Sequence, residues 1–453
     1  MASTPAIPAF EATPIDSIEG TCKSVRSVFR THKTKNVEWR KVQLRKLYWA
    51  VVDHQPLLEA ALMADLRKSA YEARLSEIEF VKNDILFMLK HVDRFARDEK
   101  VTAPEIPWVY RAAAFRKRKE PLGAVLIIGP FNYPLNLTLM PLVGAIAAGC
   151  TAVVKPSESA PATAAVMKRI VEAGLDREAF AVVNGAVPET TALLDQKWGK
   201  VFYTGSSAVG TLIARKAAET LTPVTLELGG RNPAFVTRNT NLKLAARRLL
   251  WGKTFNAGQT CLSHNYVLVE KEVLDGFVRE LTSSLGDFFP GGARDSDMAR
   301  IVNERHFLRI KKMVDETKGR IVLGGQMDQS ALYIEPTVVV VDSMDDTMIA
   351  EESFGPVFAL YPVDTLSEAI NVANAVDPTP LALFSLGSKA ENERGEPRPH
   401  AATAERHTDL TAMPSPQRGH LGRRHAQRLL HARLGLVGRV RRRRHVGHGL
   451  VPR

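Results

Sequence analysis

Few residues of this 453-residue chain are placed to do covalent chemistry, and the sharpest is Cys261, delivered by the uncharged turn Phe255-Asn256-Ala257-Gly258-Gln259-Thr260. A thiol of ordinary pKa (~8.5) is only a few per cent thiolate at neutral pH, yet that fraction attacks carbonyl carbon. The competing reading is structural, because an unpaired cysteine usually packs as a small hydrophobe. The flanks favour a nucleophile. Gly258, Gln259 and Thr260 make a poor core strand, whereas a chain bending around the sulfur leaves its own N–H to face a developing oxyanion.

Two other residues have the types this chemistry needs. Asn132, in Gly129-Pro130-Phe131-Asn132-Tyr133-Pro134, is either a helix cap or an amide donor worth ~3–4 kcal/mol to an oxyanion transition state. Glu227, between Leu226 and Leu228, is either a strand-end carboxylate held by a backbone amide or a general base whose pKa is raised by burial. Two more stretches suit a nucleotide. Thr204-Gly205-Ser206-Ser207-Ala208-Val209-Gly210 opens a helix whose first N–H groups can hold a phosphate, although the Gly-x-Gly-x-x-Gly spacing is absent and any strand-to-helix turn uses such residues. Lys155-Pro156-Ser157-Glu158 pairs a lysine with a carboxylate that could share ribose hydroxyls; alternatively Lys155 is a solvated strand end and Glu158 a helix N-terminal acid.

These residues must be carried by regular elements, and the hydrophobic pattern supplies them. In the first hundred residues Leu75, Ile78, Val81, Ile85, Met88, Leu89, Val92 and Phe95 recur at helical spacing, with Ser76 and Glu79 as a capping box. These N-terminal helices pack and carry no chemistry. From Leu122 apolar runs at 122–128, 151–155, 180–183, 200–204 and 223–227 alternate with helical runs at 137–148, 160–173, 188–196 and 208–219. A second set of strands is expected at 234–236, 266–270, 321–323, 337–341 and 357–363, with helices near 241–254, 271–285, 298–317 and 366–376. The alternation predicts an α/β fold with two doubly wound parallel sheets, divided near Gly229-Gly230. In such sheets the polar residues ending each strand are the ones to read for ligand binding.

The motifs that carry Asn132, Glu227 and Cys261, together with Lys-Pro-Ser-Glu at 155–158, Tyr-Thr-Gly-Ser at 203–206, Leu-Glu-Leu-Gly-Gly at 226–230 and Glu-Glu-Ser-Phe-Gly-Pro at 351–356, resemble the aldehyde dehydrogenase superfamily. The resemblance is strongest to its class 3, fatty-aldehyde-dehydrogenase-like branch and runs from about Val25 to about Lys389. It implies Cys261 as nucleophile, Glu227 as general base and Asn132 as oxyanion donor. It further implies NAD, or NADP, held by Lys155 and Glu158 at the ribose, Thr204, Gly205, Ser206 and Gly210 at the pyrophosphate, and Glu352 and Phe354 at the nicotinamide. No metal is implied. A Rossmann-like cofactor domain with the N-terminal helices would occupy 1–228 and the catalytic domain 229–389.

The substrate implied is an apolar aldehyde, medium or long, with Tyr133 and Trp251 as candidate wall residues or plain core. A homodimer is expected of an intact family member. Phe131, Arg231 and Ser353 stand where the family more often has Trp, Lys and Ile, and none of these changes removes a reacting group. A cysteine hydrolase or acyltransferase would use the same sulfur without a dinucleotide.

The formal charge of +12 is unevenly spread. From Arg394 to the end fourteen arginines face three acids, so +11 belongs to that tail and +1 to the rest. The segment 390–453 departs from the family pattern: beyond Arg394 it has no Lys, Ile, Asn, Phe, Tyr or Trp, carries seven of the twelve histidines, and cannot build a core. Out-of-phase reading of GC-rich codons explains that composition, and with it comes an alternative reading of the chain as an inactive product. Without interleaved aromatics or metal-ligand spacing, the tail predicts neither nucleic acid nor metal as partner. Three cysteines make no disulfide framework and no signal peptide is visible, so a reducing, cytoplasmic setting is expected. The uncharged run 121–154 is cut by Gly129-Pro130, Pro134 and Pro141 into pieces shorter than the ~20 residues of a spanning helix. Whether an intact version carries a membrane anchor is left open by the tail.

Overall fold

The computed structural model describes residues 6–102, 107–110, 113, 115–388 and 391, and every count and absence below is of those residues. The tail expected from residue 390 therefore lies outside them, Glu391 excepted. Two compact units form, the first from residues up to 61 and 73–227, the second from 62–72 and 228 onward.

In the first unit five strands make one parallel sheet: β1 (Ala124–Ile128), β2 (Thr151–Lys155), β3 (Phe180–Val182), β4 (Lys200–Thr204) and β5 (Val224–Glu227). Their order is β3-β2-β1-β4-β5. The chain builds outward from β1 to β3, then returns to the other side of β1. With right-handed crossovers this reversal puts helices on opposite faces and opens a crevice between β1 and β4. Burial agrees. Val125 and Ile127 of β1 pack with Ala152 and Val154 of β2 in one apolar cluster, while Leu126 and Val153 on the other face are equally buried. A strand covered on both faces reads as an unbroken apolar run, which is why these strands fall where expected. The connecting helices Asn136–Ala148, Pro161–Gly174, Val187–Leu194 and Ser207–Ala218 lie within two residues of their expected bounds.

Four N-terminal helices, Ile15–Arg30, Val37–Asp53, Gln55–Leu66 and Glu79–Ala96, precede the sheet. The expected apolar stripe holds, with Ile78, Val81, Ile85, Met88 and Val92 buried. The capping box at Ser76 and Glu79 does not. Ser76 lies inside a π-helical stretch, Arg74–Ile78, that continues a helix begun at Ala70, and its carbonyl accepts the Asn136 side-chain N–H (2.9 Å). The free N–H groups that a cap would satisfy are seven residues upstream, where Ser69 Oγ accepts from Glu72 N (3.2 Å).

The second unit's main sheet contains β6 (Pro233–Val236), β7 (Tyr266–Glu270), β8 (Arg320–Leu323), β9 (Thr337–Val340), β10 (Val357–Val363) and β11 (Phe384–Ser385), in the order β8-β9-β10-β7-β6-β11. All pairs are parallel except β8 with β9, an antiparallel edge. Alternate side chains enter different cores: Tyr266, Leu268, Val339, Val357 and Ala359 one, Val267, Val269, Val338, Phe358 and Leu360 the other. The helices are Leu242–Thr254, Leu274–Phe288, Glu304–Glu316 and Leu366–Val376. The run expected from 298 becomes helical only at Glu304, because Asn303 is extended (φ −161°, ψ 171°) and its side chain accepts from His306 N (3.1 Å).

Candidate functional site

In the first unit the parallel register brings the carboxyl ends of four strands to one edge. Ile128 lies opposite Lys155 and Tyr203, and Thr204 opposite Glu227. The loop bearing Asn132, the Lys155–Glu158 pair, the turn Thr204-Gly205-Ser206 and Glu227 are therefore gathered along that edge, as the sequence predicts. Asn132 is buried, so its amide is removed from bulk water. The loop turns tightly at Gly129, whose N–H donates to Lys155 O (3.0 Å) and where a Cβ would stand 1.9 Å from Thr138 Oγ1. The start of the following helix is held by Glu77, whose buried carboxylate accepts from Leu135 N (3.1 Å) and Asn136 N (2.9 Å).

Lys155 is buried and donates to Glu158 Oε2 (2.7 Å), so the lysine and the carboxylate act as one unit at the end of β2. Gly205 N donates to Glu227 O (3.0 Å), and a Cβ on Gly205 would meet Tyr203 Oη at 2.2 Å. Ser206 caps the helix Ser207–Ala218, accepting from Val209 N (3.4 Å), and Gly210 is buried in that helix. Glu227 departs from expectation in one respect: it is half-buried rather than enclosed, because β5 is the sheet's edge strand. Full burial of this carboxylate is therefore not a property of the site.

In the second unit the candidate residues sit at the amino ends of the strands. Cys261 precedes β7, Glu352 and Phe354 precede β10, and Gly229-Gly230 precede β6. The rule of reading strand carboxyl ends applies to the first unit and misses the second. Asn256 (φ 53°), Ala257 (φ 49°) and Gly258 (φ 70°) are successive left-handed residues, so the chain reverses sharply after the helix Leu242–Thr254. Such conformations persist only when the surroundings over-determine them. Here they do. Gln259, fully buried, donates through Nε2 to Asn256 O (3.1 Å) and Arg300 O (2.9 Å), and accepts at Oε1 from Val302 N (3.0 Å). Asn232 Nδ2 donates to the carbonyls of Cys261 and Ser263 (2.9 Å each). Glu72 Oε1 accepts from Asn256 N (2.8 Å), which gives chemistry's support a residue from helices assigned only to packing.

The Cys261 turn leans on the second loop. A Cβ on Gly258 would stand 2.1 Å from Gly355 O, so only glycine permits that approach. A Cβ on Gly229 would stand 2.2 Å from the Glu352 carboxylate, which accepts from the Gly230 N–H. Burial pushes the Glu352 carboxyl above its usual range, with Gly230, Lys253 and Arg309 pulling the other way. Arg309 donates to Glu352 O (2.9 Å) and Ser353 O (2.6 Å), and Asn265 Oδ1 accepts from Ser353 N (2.7 Å). Lys253, fully buried, donates to Ser353 Oγ (2.9 Å) and Gly355 O (3.1 Å), and desolvation pushes its ammonium down to about 7. Asn232, Asn265, Lys253 and Arg309 carry no local sequence signal, because what they hold is distant backbone.

The three cysteines separate by environment. Cys22 and Cys150 are buried, and burial drives both thiols up, Cys22 to about 11. Cys261 is half-buried at its turn. The first-unit edge also fits a dinucleotide: the strand order reverses beside it, Thr204 Oγ1 is buried without a partner at the end of β4, and Gly205 leaves the turn free of side-chain bulk.

Known proteins share this design. The family profile described as the aldehyde dehydrogenase family matches residues 7–382. The chain is 60% identical over 394 residues to a beta-apo-4'-carotenal oxygenase of Neurospora crassa, covering 87% of this chain and 74% of that protein. It is 38% identical to the dimeric NADP-preferring aldehyde dehydrogenase of Canis lupus familiaris, covering 83% and 82%. A substrate-bound structure of Staphylococcus aureus AldH superposes with a TM-score of 0.80 at 36% identity, covering 83% of this chain and 82% of that one.

Proposed function

Because this chain belongs to the aldehyde dehydrogenase family and is an NAD(P)-dependent aldehyde dehydrogenase, we propose that Cys261 is its nucleophile, Glu227 its general base, and Asn132 with the Cys261 N–H its oxyanion donors. The observation that carries the assignment is the contrast among the cysteines: two are buried with raised thiols, and only Cys261 is part exposed, on a turn clamped from several sides. In this reading the Cys261 thiolate adds to the aldehyde carbon and the amide donors hold the resulting alkoxide. When bound, an oxidised nicotinamide would supply the hydride acceptor for the two-electron oxidation, which would leave the acyl group on Cys261. Glu227 removes a proton from the water that releases the acyl group from Cys261.

Lys155 and Glu158 would hold the adenine ribose, Thr204, Gly205, Ser206 and Gly210 the pyrophosphate, and Glu352 and Phe354 the nicotinamide. A carboxylate at Glu158 repels a 2′-phosphate and favours NAD over NADP. The substrate is a medium or long apolar aldehyde; the relative named for an apocarotenal supports a long polyene chain. Trp251, half exposed and 5.2 Å from Phe255, suits such a chain. The working form is a homodimer in the cytoplasm. The alternative of an inactive product finds no support in these similarities.

Pre-steady-state NADH formation tests the roles. Glu227→Gln should keep a burst of about one equivalent per site and lose steady-state turnover by ~10²–10⁴-fold. Cys261→Ala should show no burst. Turnover by Cys261→Ala, or loss of the burst in Glu227→Gln, would refute the assignment. A kcat/KM that does not rise from acetaldehyde to a C16 or polyene aldehyde would refute the substrate class alone.

A further inference from the structure

The helix Asn136–Ala148 begins directly behind the turn that carries Asn132, and its start is not capped from within. Leu135 stands at the N-cap position with αR angles (φ −77°, ψ −54°), and its apolar side chain offers no acceptor to the first N–H groups. The acceptor comes from far earlier in the chain. Glu77 is fully buried, and its Oε2 accepts from both Leu135 N (3.1 Å) and Asn136 N (2.9 Å). Beside it the Ser76 carbonyl accepts from the Asn136 side-chain N–H (2.9 Å). Both residues belong to the π-helical turn Arg74–Ile78. Such a turn is rare in a helix and recurs at functional sites; this one sets two neighbouring residues on the same helix start.

A buried carboxylate is costly unless hydrogen bonds and charge compensate it, and here two N–H donors and the positive end of a helix dipole do so. The turn 129–134 is thereby held at both ends. Gly129 N donates to Lys155 O (3.0 Å) at one end; at the other Glu77 holds Leu135 and Asn136, and Leu137 N donates to Tyr133 O (3.0 Å). Between these points Pro130 and Pro134 fix φ and bring no N–H. Because Glu77 satisfies the N–H groups of Leu135 and Asn136, capping them does not call on the buried Asn132 amide, which stands three residues before Leu135. We propose that Glu77 is a positioning residue for Asn132, its carboxylate fixing the direction in which the turn presents the Asn132 amide to the reacting carbonyl. This role rests on the reading of Asn132 as an oxyanion donor, and the two can fail separately.

The test is a double-mutant cycle on the rate constant of the NADH burst, measured on the full chain with a short soluble aldehyde and saturating NAD. Asn132→Ala should slow the burst by ~10²–10³-fold. Glu77→Gln, which keeps the size and loses the charge, should slow it by roughly tenfold, and Glu77→Ala by up to about 10²-fold. In the Asn132→Ala background either should cost less than about twofold more, because an amide that is absent cannot be misplaced. The dissociation constant for NAD should match wild type throughout. Should Glu77→Ala fail to fold, Glu77→Gln and Glu77→Asp, which keep a polar side chain, carry the cycle. A full-sized loss for Glu77→Gln on top of Asn132→Ala, or NAD affinity falling in step with the burst, would mark a merely structural residue and overturn the role. An unchanged burst in the folded Glu77 variants overturns it as well. If Asn132→Ala itself keeps the wild-type burst, the oxyanion reading falls and takes this role with it.

Discussion

Replacing Gln259 with leucine keeps a buried side chain of similar volume and removes the three side-chain hydrogen bonds that Gln259 itself gives the turn before Cys261. The Val302 N–H and the carbonyls of Arg300 and Asn256 would lose that partner in a buried setting. A buried group left without its partner costs ~1–3 kcal/mol, and the volume match adds no cavity, so the loss is about 3–5 kcal/mol. That is a large share of the ~5–15 kcal/mol that holds a typical domain. Urea unfolding should show the lower midpoint, and hydrogen exchange should show it locally, as faster exchange at the Val302 amide than at β1. Because Gln259 holds the chain two residues from the sulfur, kcat/KM should fall at least tenfold, and alkylation of Cys261 should lose its single rate. A Gln259→Leu enzyme within 0.5 kcal/mol of wild type would refute the clamp. One that is destabilised yet fully active per folded molecule would show that the clamp holds the fold without positioning Cys261.

Two further predictions concern backbone and pH. Gly258→Ala puts a Cβ 2.1 Å from Gly355 O at φ 70°, so the two loops must part; a sharp loss of kcat and a lower melting temperature are expected, while Gly20→Ala, with nothing within 4 Å, should be neutral or slightly stabilising. Asp84 is buried with Oδ2 lacking a partner, and desolvation raises its carboxyl to about 7. The folded state then holds a proton that the unfolded chain has released between pH ~4 and 7, so stability falls as pH rises through that window. Asp84→Asn should remove that dependence and stabilise the protein above pH 7 by on the order of 3–4 kcal/mol; a denaturation profile with the same pH slope as wild type would exclude it.

What could be read in the sequence is what depends on neighbours along the chain. Parallel strands covered on both faces are continuous apolar runs, so 124–128 and 151–155 announce themselves, and the Ile78 to Val92 stripe marks its helix. The candidate residues are also legible in type, because Asn132 and Cys261 sit in turns of unusual composition and Glu227 ends a strand just before Leu228-Gly229-Gly230. The mistaken cap at Ser76 came from the same local logic: its spacing is right, but the helix had already begun at Ala70, and nothing nearby in sequence says so.

Tertiary structure decided the rest, because its causes are contacts between distant segments. The order β3-β2-β1-β4-β5 puts Lys155, Gly205 and Glu227 on one edge, a fact of crossover handedness and pairing that no single stretch encodes. Gly258 is required by the carbonyl of Gly355, Gly229 by the carboxylate of Glu352, and the Cys261 turn by Asn232, Gln259 and Glu72. The sequence offers the sulfur and the acid as candidates; the left-handed turn that presents Cys261 exists because those remote partners satisfy its buried backbone groups.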